Sequence, residues 1–141
     1  MTYDKEKFLT SDLAKAKSEV QKMVHAETVS GAVAEIKNIS NLLKKDRLKA
    51  MELVFHGVKE LSSKLETRDI PDLLALVRNV EYPHVGGEER AAYFNTIRLI
   101  FNKISALTGI DVQDTFAPRP EEINQAVQSV QTWYDNNQTD A

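Results

Sequence analysis

Apolar residues recur along the chain at steps of three and four, the spacing of one helix face, and no stretch alternates as a half-buried strand would. Six helical segments follow from this pattern. In the first, Phe8, Leu9, Leu13, Ala16, Val20, Met23 and Val24 form one stripe, with Thr10 or Ser11 available to cap a late start. The second begins near Ser30 and carries Val33, Ile36, Ile39, Leu42 and Leu43 before Lys44 and Lys45, cations that suit a helix C-terminus. The third carries Leu48, Met51, Val54, Phe55, Val58, Leu61 and Leu65, with Asp46 placed to cap it. The pattern is equally compatible with one rod running through residues 44 to 47, so it leaves the break between these two helices open.

Arg68, Asp69, Ile70 and Pro71 form a helix entry, because proline fits a first turn where its missing N–H is not needed. This short fourth helix carries Leu73, Leu74, Val77 and Val80 and stops before Tyr82 and Pro83. Residues 81 to 87, Glu-Tyr-Pro-His-Val-Gly-Gly, are the clearest loop. Glu88 and Glu89 open the fifth helix, where Tyr93, Phe94, Ile97, Ile100, Phe101, Ile104 and Leu107 cover a broad face, and this helix is the expected centre of the core. Gly109 stands where a left-handed C-terminal cap belongs. A connector through Asp111, Asp114 and Pro118 leads to Pro120, Glu121 and Glu122 at the sixth helix, whose stripe is Ile123, Ala126, Val127, Val130, Trp133 and Tyr134.

Composition narrows the class. A chain of 141 residues is long enough for one domain with one core, and five glycines with four prolines are about half the usual share, which favours helices. The expected fold is an all-α, single-domain bundle of five to six helices. Residues 1–109 would form the bundle core, and 110–141 an acidic connector with an amphipathic helix packed on the same domain. Charge divides along that boundary: six acids against Arg119 give −5 in the last segment, leaving +2 for the remainder of a chain whose total is −3. Zero cysteines exclude disulfides, thiolate metal sites and a cysteine nucleophile. The longest apolar run, Leu73 to Val77, falls far short of the roughly 20 residues of a membrane span, so no membrane partner is expected. Asp4 and Glu6 alternate with Lys5 and Lys7 at the N-terminus without an apolar stretch behind them, unlike a secretory signal, and a cytoplasmic location is expected.

The chain has three histidines. His25 lies opposite its helix's apolar stripe and reads as a solvated residue. His84 follows Glu81 at the Glu-x-x-His spacing of bundle metal sites, but Pro83 interrupts the helix such a site needs and no second pair exists, so no metal is expected. Gly86 and Gly87 precede a helix as in an anion cradle, yet Glu88 and Glu89 occupy its positive end, which leaves the reading of a hinge. No nucleotide-binding, nucleophile-elbow or zinc-peptidase motif occurs, and no cofactor is expected.

His56 stands about 150° from the centre of the third helix's apolar arc, which predicts that it faces water, with Lys59 three residues on and Glu52 four residues back. An exposed imidazole beside an ammonium suits phosphoryl acceptance, the cation neutralising charge on the transferring oxygens. This His-x-x-Lys, preceded by Leu48, Met51 and Val54 and followed by Ile70, Leu73 and Val77, resembles the histidine phosphotransfer domains over residues 36 to 107. The resemblance implies a four-helix bundle relaying phosphate between signalling proteins, with His56 as phosphoacceptor and Lys59 as its charge-stabilising neighbour. The chain departs from that family in carrying Glu60 where a small residue usually follows the lysine, and Lys64, Leu65 and Glu66 around the place of a glycine.

Lys44, Lys45, Arg47 and Lys49, extended by Lys37, form a basic cluster able to meet a few phosphates, although an acidic chain disfavours nucleic acid as the main partner. Leu53 and Leu99 fall off their stripes and would form an exposed patch if they met in space, while Trp133 is the aromatic anchor of the acidic helix. These observations favour a non-enzymatic interaction or adaptor protein whose partner is another protein or a second copy as a homodimer. Phosphorelay through His56 and accessory nucleic-acid binding through Lys44, Lys45, Arg47 and Lys49 are the alternatives.

Overall fold

The computed structural model describes residues 12–43, 46–80, 82–83, 86–111 and 119–137, and these form six α-helices and one 3-10 turn with no strand among them. The helices are α1 (Leu13–Ala26), α2 (Val29–Leu42), α3 (Arg47–Leu61), α4 (Ile70–Asn79), α5 (Glu88–Thr108) and α6 (Pro120–Asn137), with the 3-10 turn at Thr67–Asp69. The protein is all-α, as the 3.6-residue periodicity predicts. Phe8, Leu9, Thr10, Ser11, Lys44, Lys45, Glu81, His84, Asp114 and Pro118 lie outside the described residues.

Side-chain oxygens set the first three helix starts. Asp12 caps α1: its carboxylate accepts from the Lys15 N–H at 2.9 Å, and it is the residue just before the first helical one. Thr28 Oγ1 caps α2 through the Gly31 N–H at 3.0 Å. Asp46 caps α3 through the Lys49 N–H at 3.1 Å, and its φ of −128° and ψ of 77° take the chain out of the helical region. That cap decides the open question of the rod: α2 and α3 are separate helices. Ahead of α4, the Asp69 carboxylate accepts from the Glu66 N–H at 2.8 Å and Pro71 occupies the first turn. Gly109, with φ 80°, closes α5 in the left-handed conformation that favours glycine.

The central helix is α3 rather than α5. It packs against α1, α2 and α5, and α4 packs on α2 and α5. Three neighbours demand an apolar arc wider than one stripe. Accordingly Ala50, Met51, Leu53, Val54, Gly57, Val58 and Leu61 are all buried. Leu53, expected on the surface, is 1% exposed for this reason. Gly57 is a point of close packing between α2 and α3, since a Cβ there would stand 2.6 Å from Ile36 Cδ1. On the other side of α3, the buried Thr96 hydroxyl of α5 donates to the Ala92 carbonyl at 2.8 Å and lies 3.4 Å from the Met51 carbonyl. The acidic helix α6 lies on α4, burying Ile123, Ala126, Val127 and Val130. No helix of the described residues is long and apolar enough to cross a membrane.

Candidate functional site

Two regions hold the polar side chains that the packing brings together. The first is the flank of α3 beside α1, where His56 is half-buried, with 24% of its side chain exposed, and its Nε2 stands 3.8 Å from the Glu60 carboxylate. The helical-wheel expectation of a freely exposed ring does not hold, because α1 packs alongside α3 on that side. Lys17 of α1 reaches Glu52 at 3.7 Å. Burial pulls the His56 pKa below its ordinary value, Glu60 opposes that shift, and Lys17 and Lys59 reinforce it. The imidazole is therefore neutral at pH 7. Lys59 is exposed one turn on, so His56 and Lys59 do share a face, but a phosphoryl donor approaching the ring also meets the Glu60 carboxylate.

Leu53 and Leu99 do not form the exposed patch that sequence allows for, and of the basic cluster only Lys37, Arg47 and Lys49 lie among the described residues. Leu53 is in the core, while Leu99 and Trp133 are partly buried against it. Arg47 and Lys49 are half-buried, and the Arg47 guanidinium lies 3.8 Å from the Glu89 carboxylate of α5, which removes part of the basic cluster's charge. Among the described residues one large apolar side chain is exposed, and it is Leu42, at 59%. The stripe of α2 predicts Leu42 to be inward, but it is the last helical residue.

The second region is a cleft of ≈ 310 Å³ where four helix ends converge. The C-terminal turn of α2 contributes Ser40, Asn41 and the adjoining Leu43, and the start of α3 contributes Arg47, Ala50 and Met51. The end of α4 contributes Asn79 and the following Val80, and Pro83 and the first turns of α5, through Glu89 and Tyr93, close the remaining side. Half of this wall is apolar and half polar, with one ion pair among the polar residues. Asn79 Nδ2 is shut off from water and makes no hydrogen bond, the one such buried side-chain atom among the described residues. An orphaned donor costs about 1–3 kcal/mol. Burial, with a smaller contribution from Tyr82, pushes the Tyr93 phenol well above its ordinary pKa, so it stays protonated and able to donate.

Tyr82, Tyr93 and Phe94 pack edge-to-face with centroids 5.4 to 5.8 Å apart, and Arg90 lies 5.3 Å over the Phe94 ring, which stiffens the α5 wall. A smaller recess of ≈ 130 Å³ lies between α4 and α6, sharing Val80 and Tyr93 with the main cleft. Among the described residues no group of three or more His, Asp or Glu side chains stands close enough to hold a metal. Sequence reasoning missed the cleft because each element contributes only one to three residues and no local motif marks them. Comparison with known protein families, curated proteins and solved structures finds no match to this chain.

Proposed function

We propose that this chain is a small, non-enzymatic helical interaction protein of the cytoplasm, whose partner-binding surface is the cleft at the joined ends of α2, α3, α4 and α5. The observation that carries this reading is Leu42, exposed at 59% and adjoining in sequence both Asn41 and Leu43 of the cleft wall. An exposed apolar side chain adjoining, in sequence, a recess lined by apolar residues such as Met51 and Val80 together with the charged Arg47 and Glu89 offers the mixture of apolar and polar surface that protein interfaces use. The partner is another protein or a second copy of this chain.

The test compares the wild type with Leu42→Asp, a change at a solvated position that leaves the core intact. Capture of interacting proteins from lysate, quantified by mass spectrometry, and sedimentation of the purified chain read the two kinds of partner. Loss of one specific captured protein, or of self-association, in Leu42→Asp supports the cleft as the interface. Capture and sedimentation unchanged by Leu42→Asp would move the interface elsewhere.

A further inference from the structure

We infer that the occupant of this cleft is a second copy of the chain: in a two-fold dimer the Leu42 side chain of each copy enters the cleft of the other. The inference rests on the cleft being the interaction surface and narrows its partner to one. Leu42 is the one large apolar side chain exposed among the described residues, and its two chain neighbours, Asn41 and Leu43, both belong to the cleft wall. Knob and hollow therefore share one end of the bundle. A surface that carries both is complementary to itself, because a two-fold axis running between them brings each knob to the other copy's hollow and makes the same contact twice.

The lining selects an apolar occupant. Leu43, Ala50, Met51 and Val80 belong to the core, yet as cleft residues each keeps 5 to 8% of its surface exposed. Covering that remnant with a leucine takes apolar area from water on both sides, whereas a charged or amide group would give up its own hydration to do so.

Size and charge agree with a leucine. Removing one leucine from a protein core leaves a cavity of about 150 Å³. The ≈ 310 Å³ of the cleft thus takes the Leu42 side chain with part of the turn that carries it. Arg47 and Glu89 stand 3.8 Å apart and cancel formally, so the cleft presents no net charge to a second copy, and an uncharged side chain leaves the pair in place.

The experiment is sedimentation of the full chain, as wild type and as three variants. Leu42→Asp removes the knob, Asn41→Trp fills the hollow from its wall, and Leu42→Met keeps an apolar knob. Positions 41 and 42 are both exposed, so all three variants are expected to keep the ellipticity of the wild type. The wild type and Leu42→Met are expected to dimerise at about 100 μM, a concentration that populates dimers of micromolar affinity. Leu42→Asp and Asn41→Trp are each expected to raise the dissociation constant at least about tenfold. Mixing these two variants tests the geometry. Asn41→Trp still offers its Leu42 knob and Leu42→Asp its open hollow, so the mixed dimer keeps one of the two contacts and is expected to bind at least about threefold more tightly than either variant alone. A wild type that is monomeric at about 100 μM, or a mixture no tighter than its components, overturns the inference. If that monomeric wild type still captures one specific protein that Leu42→Asp loses, the second copy is removed and the cleft stands as the interface for a different partner. A dimer indifferent to both Leu42→Asp and Asn41→Trp removes the cleft as the surface of self-association, and the inference with it.

Discussion

Gly57 lies in the middle of α3, where helix propensity alone favours alanine by about 1 kcal/mol. The packing opposes it. A Cβ at position 57 would stand 2.6 Å from Ile36 Cδ1, 2.9 Å from Ile36 Cγ1 and 3.5 Å from Val20 Cγ1. Ile36 is 2% exposed, so its side chain has no solvent to swing into, and over-packing of this kind costs about 1–3 kcal/mol. The balance makes Gly57→Ala neutral to destabilising by about 2 kcal/mol in the wild type. In an Ile36→Ala background, itself destabilised by about 2–5 kcal/mol, the obstruction is gone and the same substitution stabilises by up to about 1 kcal/mol. The coupling in the double-mutant cycle is therefore about 1–3 kcal/mol, the over-packing cost itself. Urea unfolding followed by circular dichroism measures all four corners. Effects of Gly57→Ala that agree in the two backgrounds to within about 0.5 kcal/mol would refute the close α2–α3 approach.

Leu53→Ala is expected to cost about 2–5 kcal/mol by the same assay, as for a buried leucine, while Leu42→Ser stays within about 0.5 kcal/mol. Asp46→Ala removes the α3 cap and is expected to lower stability by about 1 kcal/mol, with Asp46→Asn retaining most of it. Stability is expected to fall as pH drops from 7.5 towards 5. Burial holds His56 below its ordinary value of 6.5, so the unfolded chain binds the proton first and gains on the folded state as pH falls through that value. Denaturant midpoints across this range should show a shallower slope in His56→Gln, and an unchanged slope would refute the burial-driven shift.

Local chemistry along the chain announces most of the helix ends. The proline at 71, the glycine at 109 and the aspartate at 46 each act within a few residues of themselves, so their effects are visible without knowing the fold. The stripe of α6 is equally local, and its docking on α4 follows from four apolar residues that one neighbour suffices to cover. Errors begin where an outcome depends on how many neighbours a helix has. The face that sequence leaves for Leu53 and His56 is solvent only if α3 has one side packed. With three helices around it, Leu53 is core and His56 is half-shut. Ala50 and Gly57, small residues inside a helix with apolar positions on nearly every side, are the signal that marks α3 as central. The cleft has no such signal, because it belongs to the arrangement of four helix ends rather than to any one of them.

The chain has a single tryptophan, and it sits on α6, partly buried against the core. Its fluorescence therefore reports the docking of one helix, whereas far-ultraviolet ellipticity reports the helical content of the whole chain. Coincident transitions in the two signals would make α6 part of one cooperative unit, and an earlier fluorescence change would make it a separately melting one. The placement of Trp133 thus equips the native protein with an internal optical gauge, requiring no added label, for whether its acidic helix is seated.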